Sequence, residues 1–283
     1  MGAPSVSLRR HVSHGHNFLV ALPTVVAYAQ PIVFIHGMSG FAAYLGDAMM
    51  YAAKLGFICY AHDIMGHGER HAEDVGGKGI LDYVDDASGF IERVVRPRHT
   101  ASLVLVGHSM GGLIAAKLAE MRNDVGHAVL VTPAPPSGVM LLPGGLIRIS
   151  LGDVLSALAM VMGGKSFIPS RGFLDSLFAD PVASRHIIDV WEKRRLSNES
   201  LLAALQMGLS QVAVDPVKIA APMLVIGAKK DVVVHPSVAG RIARFFGAEL
   251  HMHEQMGHMC PFEAGWEENS RVIADWLVRN NVR

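Results

Sequence analysis

A serine held between two glycines, in Gly107-His108-Ser109-Met110-Gly111, is the pattern in this chain best suited to chemistry. A hydroxyl is a weak nucleophile at neutral pH and attacks only when an adjacent base takes its proton. It must also project from the body of the protein. A sharp turn from strand into helix does this, but it crowds the backbone, and side chains two positions before and after the serine would collide. Gly107 and Gly111 stand at those positions, and Gly112 leaves room for the helix to pack closely. Such pentapeptides also arise by chance, so the flanks decide. Residues 103–106 read Leu-Val-Leu-Val, a strand buried on both faces, and residues 113–121 are rich in Ala and Leu, a helix. An incidental serine in a glycine-rich turn fits those flanks poorly.

The elements that must hold this serine follow from hydrophobic spacing. Residues 31–35 form a short apolar, β-branched run ending at His36-Gly37-Met38, and this is the first clear strand. Phe41, Leu45, Met49 and Ala52 recur at helical spacing, with Gly56 as a natural stop. Further strands are read at residues 57–60, 128–131, 223–226 and 249–252, and amphipathic helices at residues 84–95 and 272–277. Strands alternating with helices imply right-handed βαβ units and a mostly parallel, doubly wound α/β sheet. The alternation stops between Pro133 and Asp215, where no strand signal stands out. The chain therefore divides into a core domain, residues 1–134 and 215–283, and a helical insertion, residues 135–214, read as a cap over the mouth of the sheet.

Composition narrows the function. The 283 residues are 51% apolar and 18% charged, which argues for one large core. Lys+Arg and Asp+Glu are equal at 25 each, so no basic excess draws in nucleic acid or anionic lipid. The best candidate membrane span, residues 139–162, is broken by Pro143, Gly144, Gly145, Arg148, Gly152 and Asp153. Arg9-Arg10, an apolar stretch over residues 18–26 and then Ala27-Tyr28-Ala29 imitate a signal peptide. His14, His16 and Asn17 separate the arginines from the apolar run, Pro23 interrupts it, and cleavage would remove strands that should precede residue 31, so the segment is read as part of the fold. Cys59 and Cys260 cannot build a disulfide framework; as reduced core thiols they fit a cytoplasmic protein. His62, His67 and His71 are irregularly spaced around a glycine-bearing loop with no thiolate, so no metal site is expected there, and no cofactor.

With these elements in place the chain resembles the α/β-hydrolase superfamily, and its Gly-His-Ser-Met-Gly-Gly is similar to the serine esterase and monoacylglycerol lipase-like branches. The resemblance covers residues 31–134 and 221–277; the insertion lies outside it, and the first thirty residues are less regular than the family's leading strands. It implies an α/β-hydrolase fold with a Ser–acid–His order along the chain. Ser109 would be the nucleophile. Asp231, in Gly227-Ala-Lys-Lys-Asp231 after a late strand, matches the acid; the other family position for it holds Thr132-Pro133 and no carboxylate. Among fifteen histidines, His258 matches the base by position, order and its preceding Gly257. His251 and His253 read as structural, and His108 as filling space beside the serine. The oxyanion hole would take the backbone N–H of Met110 and, from the His36-Gly37-Met38 loop, that of Met38. Asp63-Ile-Met-Gly66-His67-Gly68 matches a family pattern that shapes a loop.

The expected activity is hydrolysis of a carboxylic ester or thioester through an acyl-serine. The insertion carries Leu141, Leu142, Leu146, Ile147, Leu151, Leu155, Leu158, Met160, Val161 and Met162, which favours a small apolar substrate. Trp191, Lys193, Arg194 and Arg195 read as an exposed helical face. A carbon–carbon hydrolase, an acyltransferase or a lyase would use the same three residues, and a small-molecule receptor could keep them on the same fold.

Overall fold

The computed structural model of the chain describes residues 6–139, 171–194 and 199–282. Strands β1 (Ser7–Ser13), β2 (His16–Leu22), β3 (Ile32–Ile35), β4 (Cys59–His62), β5 (Leu103–His108), β6 (Val125–Val131), β7 (Met223–Ala228) and β8 (Glu249–His253) join in one eight-stranded sheet. Its order is β1-β2-β4-β3-β5-β6-β7-β8. The pairs β1–β2 and β2–β4 are antiparallel; every pair from β4 to β8 is parallel.

Alternation along the strands builds two cores. Val33 and Ile35 face a cluster shared with α2 (Ile80–Phe90), α3 (Met110–Met121) and α7 (Pro236–Phe246). Ile32 and Phe34 face the other cluster, with α1 (Gly46–Lys54) and α8 (Trp266–Arg279). Both faces of the parallel strands are thus covered, which is why residues 32–35 and 103–106 are continuously apolar. Between residues 135 and 214 the described helices are α4 (Arg171–Ser176), α5 (Arg185–Arg194) and α6 (Leu201–Gly208). Leu174, Leu177, Phe178 and Ile188 form a third cluster with Phe41, Met259 and Phe262. Among the described residues no helix is long and apolar enough to cross a membrane. Residues 140–162, and with them the insertion's apolar run, lie outside the described residues, as does Arg195 and the side chains of Trp191, Lys193 and Arg194.

The strands expected before residue 31 are an antiparallel hairpin, and one later strand differs from the sequence reading. His14 and Gly15 turn the hairpin, both at positive φ (51° and 77°), the geometry that matches strand twist in a two-residue turn. β1 is Ser-Leu-Arg-Arg-His-Val-Ser, an exposed edge strand whose charges blunt further pairing, so it lacks an apolar signature. The strand read at residues 57–60 runs instead over Cys59–His62, because Phe57 leaves the sheet to stack on Tyr28 with ring centroids 4.0 Å apart.

Candidate active site

Ser109 sits between β5 and α3 at φ 54°, ψ −116°. A non-glycine residue in this region stores strain of about 1–3 kcal/mol and persists only where its surroundings enforce it. Here two backbone bonds do so: Ser109 N–H to the Val131 carbonyl at 2.9 Å, and Ala134 N–H to the Ser109 carbonyl at 3.0 Å. Close approach explains the glycines. A Cβ on Gly107 would lie 2.1 Å from the Gly111 carbonyl oxygen, and one on Gly111 would lie 2.2 Å from that of Ile35.

The hydroxyl meets a base and an acid in line. Ser109 Oγ is 3.0 Å from His258 Nε2, and His258 Nδ1 is 2.9 Å from Asp231 Oδ2. A carboxylate accepts only, so Nδ1 carries the proton and Nε2 is free to accept from the serine. The other oxygen of Asp231 accepts the Val233 and Val234 N–H groups at 2.7 and 2.8 Å, which fixes the carboxylate on the loop after β7. Asp231 and His258 are buried, so the pair works away from bulk water. This arrangement can raise a serine alkoxide at the moment of attack and hand its proton onward.

His108 does more than fill space. Its Nε2 lies 3.0 Å from the His258 carbonyl and its Nδ1 3.2 Å from Tyr44 Oη. The carbonyl can only accept, so Nε2–H donates and Nδ1 accepts from the tyrosine hydroxyl. Tyr44 Oη in turn accepts the Gly37 N–H at 2.6 Å. Burial, reinforced by the neighbouring His258, pushes His108 down to about 3, so the ring is neutral and keeps these roles. Thr132, at φ 42°, donates to the same His258 carbonyl at 3.1 Å. The sequence offered no pointer to Tyr44; Thr132 stood there only as a position without a carboxylate.

The loop after β3 lies against the serine: a Cβ on Gly37 would fall 3.1 Å from Ser109 Cβ. Its amides are largely committed, Gly37 N–H to Tyr44 and Gly40 N–H to the Gly37 carbonyl at 3.0 Å. Among the described residues no acceptor takes the N–H of Met38 or of Met110. His36, neutral because burial holds it well below the ordinary histidine range, donates from Nδ1 to Gly37 O and accepts the Ile64 N–H at Nε2 (2.9 and 3.0 Å). It thereby ties this loop to the Asp63–Gly68 loop. Asp63 itself accepts the Ala42 N–H at 2.7 Å and the Glu69 N–H at 3.2 Å. The histidine loop has a further holder absent from the sequence reading: Glu263, whose two oxygens accept the Gly257 and Ala179 N–H groups at 2.6 and 2.8 Å.

The three histidines weighed as metal ligands do not converge. His67 faces Glu199, and His71 Nδ1 bonds the Gly68 carbonyl. His62 lies with His16 and Asp86, whose ligand atoms are all within 4.8 Å of one another. Arg70 Nη1 already donates to both Asp86 oxygens at 2.9 and 2.8 Å, and Met65 N–H to one of them at 3.1 Å. The guanidinium already engages both oxygens of the one carboxylate in the group, so these residues fit a metal poorly. His253 bonds Asn269 at 3.2 Å, a structural contact.

A family profile described as serine aminopeptidase, S33, matches residues 28–265. The non-heme chloroperoxidase of Burkholderia pyrrocinia is 34% identical to this chain over 112 residues, 38% of each protein, so the match spans little more than a third of that relative. The monoacylglycerol lipase of Paleococcus ferrophilus superposes with a TM-score of 0.69 at 20% identity, over 97% of this chain and 100% of that one. The esterase EaEST of Exiguobacterium antarcticum gives a TM-score of 0.70 at 19% identity, over 98% and 99%. At such identities the likeness to the two solved structures is one of fold.

Proposed function

The chain belongs to the serine aminopeptidase S33 family of α/β-hydrolases, and from that premise we propose that it cleaves a carboxylic ester or thioester of a small apolar substrate through an acyl-serine intermediate. The observation that carries this reading is the line from Asp231 through His258 to Ser109, with separations of 2.9 and 3.0 Å. His258 Nε2 takes the hydroxyl proton as Ser109 Oγ bonds to the carbonyl carbon. The Met38 and Met110 N–H groups receive the developing oxyanion. The bond to the leaving group breaks, and His258 returns the proton to the departing oxygen or sulfur. Water then repeats the sequence on the acyl-serine, releasing the acid and restoring the hydroxyl.

Residues 135–214 act in this reading as a cap. Packing of Leu177, Phe178 and Ile188 against Met259 and Phe262, beside His258, supports that role and an apolar substrate. The lipase and esterase names of the solved structures agree with ester chemistry. Cys59 and Cys260 are buried free thiols, both pushed up by burial, in keeping with work in a reducing cytoplasm. Turnover of p-nitrophenyl esters of rising acyl length, run beside Ser109→Ala, tests the proposal. Activity should rise with apolar acyl length and vanish in the variant; saturable ligand binding with no ester turnover would favour a receptor instead.

A further inference from the structure

We propose that Glu199, which joins the insertion to the loop after β3, is a positioning residue for the oxyanion site: one oxygen of its buried carboxylate meets both the Ser39 N–H and the His67 imidazole. The proposal rests on the reading of Met38 as an oxyanion donor. Glu199 Oε1 accepts the Ser39 N–H and lies 3.0 Å from His67 Nε2. The side chain is 5% exposed and that of His67 is fully buried. Its neighbour Ser200 is anchored as well, donating from Oγ to the Lys78 carbonyl and capping α6 by accepting the Ala203 N–H at 3.3 Å. The carboxylate is therefore held from the insertion side and bonded on the core side.

Ser39 is where such a hold is needed. It has φ 54°, a left-handed conformation that a serine adopts only under constraint. The peptide before it carries the Met38 carbonyl, and the one before that the Met38 N–H. Rotation about Ser39 would swing this amide away from Ser109. Gly37 is fixed by Tyr44 and His36, the Gly40 N–H closes a turn onto the Gly37 carbonyl at 3.0 Å, and Ala42 is fixed by Asp63; to these Glu199 adds the bond made at the Ser39 amide itself. A buried carboxylate without a partner would be costly. His67 answers this: its Nδ1 lies 2.9 Å from the Met65 carbonyl and its Nε2 3.0 Å from Glu199 Oε1, so each group favours the charged form of the other. Burial would push His67 down, yet Glu199 overrides it and holds the ring above its ordinary value; burial would push Glu199 up, yet His67 and the Ser39 N–H hold it below its own.

The test compares Glu199→Ala, Glu199→Asp and Glu199→Gln with the wild-type chain on one p-nitrophenyl ester, with kcat expressed per folded molecule from near-ultraviolet circular dichroism. Loss of the acceptor in Glu199→Ala, or its withdrawal in Glu199→Asp, should lower kcat by about 10- to 100-fold with KM within about threefold. Glu199→Gln keeps an oxygen for Ser39 and should recover most of that loss. Where Glu199→Ala does not fold, the Asp and Gln pair gives the same contrast. Unchanged kcat per folded molecule in Glu199→Asp, or a change confined to KM, overturns the positioning role and leaves the hydrolase reading standing. A wild-type chain that turns over no ester, or activity that survives in Ser109→Ala, overturns both.

Discussion

His108 and His258 are fastened through the backbone: the His108 Nε2–H donates to the His258 carbonyl oxygen at 3.0 Å, and Thr132 Oγ1 donates to the same oxygen at 3.1 Å. The residue before Ser109 thus helps hold His258, while its other nitrogen reaches through Tyr44 to the Gly37 amide. The elbow, the histidine loop and the loop after β3 are one hydrogen-bonded unit.

Two donors on one acceptor should substitute for each other. His108→Leu and Thr132→Val are each expected to lower kcat about 10-fold or less. The double variant should lose more than the product of the two, because neither donor then holds the His258 carbonyl. His108→Leu also leaves the buried Tyr44 hydroxyl without its acceptor, at about 1–3 kcal/mol of stability. Steady-state kinetics and urea unfolding of the three proteins check both parts.

Asp231→Asn should keep the fold but lose kcat by about 10³–10⁴-fold, since an amide facing Nδ1 no longer selects the productive tautomer. One oxygen remains for the Val233 and Val234 amides. Asp231→Ala removes that acceptor as well and should also lower the unfolding free energy by about 1–3 kcal/mol. The contrast between the two variants in thermal unfolding separates orientation of the imidazole from support of the loop.

Gly107→Ala should destabilise the chain by about 3 kcal/mol or more, because its Cβ would meet backbone, the Gly111 carbonyl at 2.1 Å, with no side chain able to yield. Gly172→Ala, where a Cβ would meet nothing within 4 Å, serves as the control. Urea midpoints of the two variants check this.

How much of this could be read from the sequence depends on the range of each interaction. Residues 32–35 and 103–106 announce themselves because strands buried on both faces must be apolar throughout. Ser109, Asp231 and His258 could be singled out because each stands in a short local pattern after a strand, and these are the side chains found hydrogen-bonded together. Tyr44, Thr132, Glu199 and Glu263 lie in no such pattern. Their roles arise from contacts between segments far apart in the chain, such as the Ser39–Glu199 bond across 160 positions. The bounds of β1, within the segment expected to hold strands before residue 31, are hidden for another reason: an exposed edge strand needs no apolar face.

The His67–Glu199 pair sets a pH dependence of stability. His67 is held above its ordinary value of 6.5, so its contribution is complete below that value and is lost as pH rises through the folded value. Glu199 is held below its ordinary 4.5, so its contribution is present above that value and is lost as pH falls through the folded one. The gap in Tm between wild type and His67→Asn should therefore be widest near about pH 6 and narrow toward about pH 9. Thermal unfolding of both proteins across that range checks the sign; a gap that widens with pH would contradict it.

The proposed chemistry stands on one covalent bond, from the acyl carbon to Ser109 Oγ. Rapid quenching of wild-type and His258→Ala chains after mixing with an activated p-nitrophenyl ester, followed by peptide mass measurement, tests it most directly. An added acyl mass is expected on the peptide carrying Ser109, rising with a burst of p-nitrophenolate in the wild type and greatly slowed in the variant. Steady release of p-nitrophenolate with no acyl mass on Ser109, or release that persists in Ser109→Ala, would contradict it.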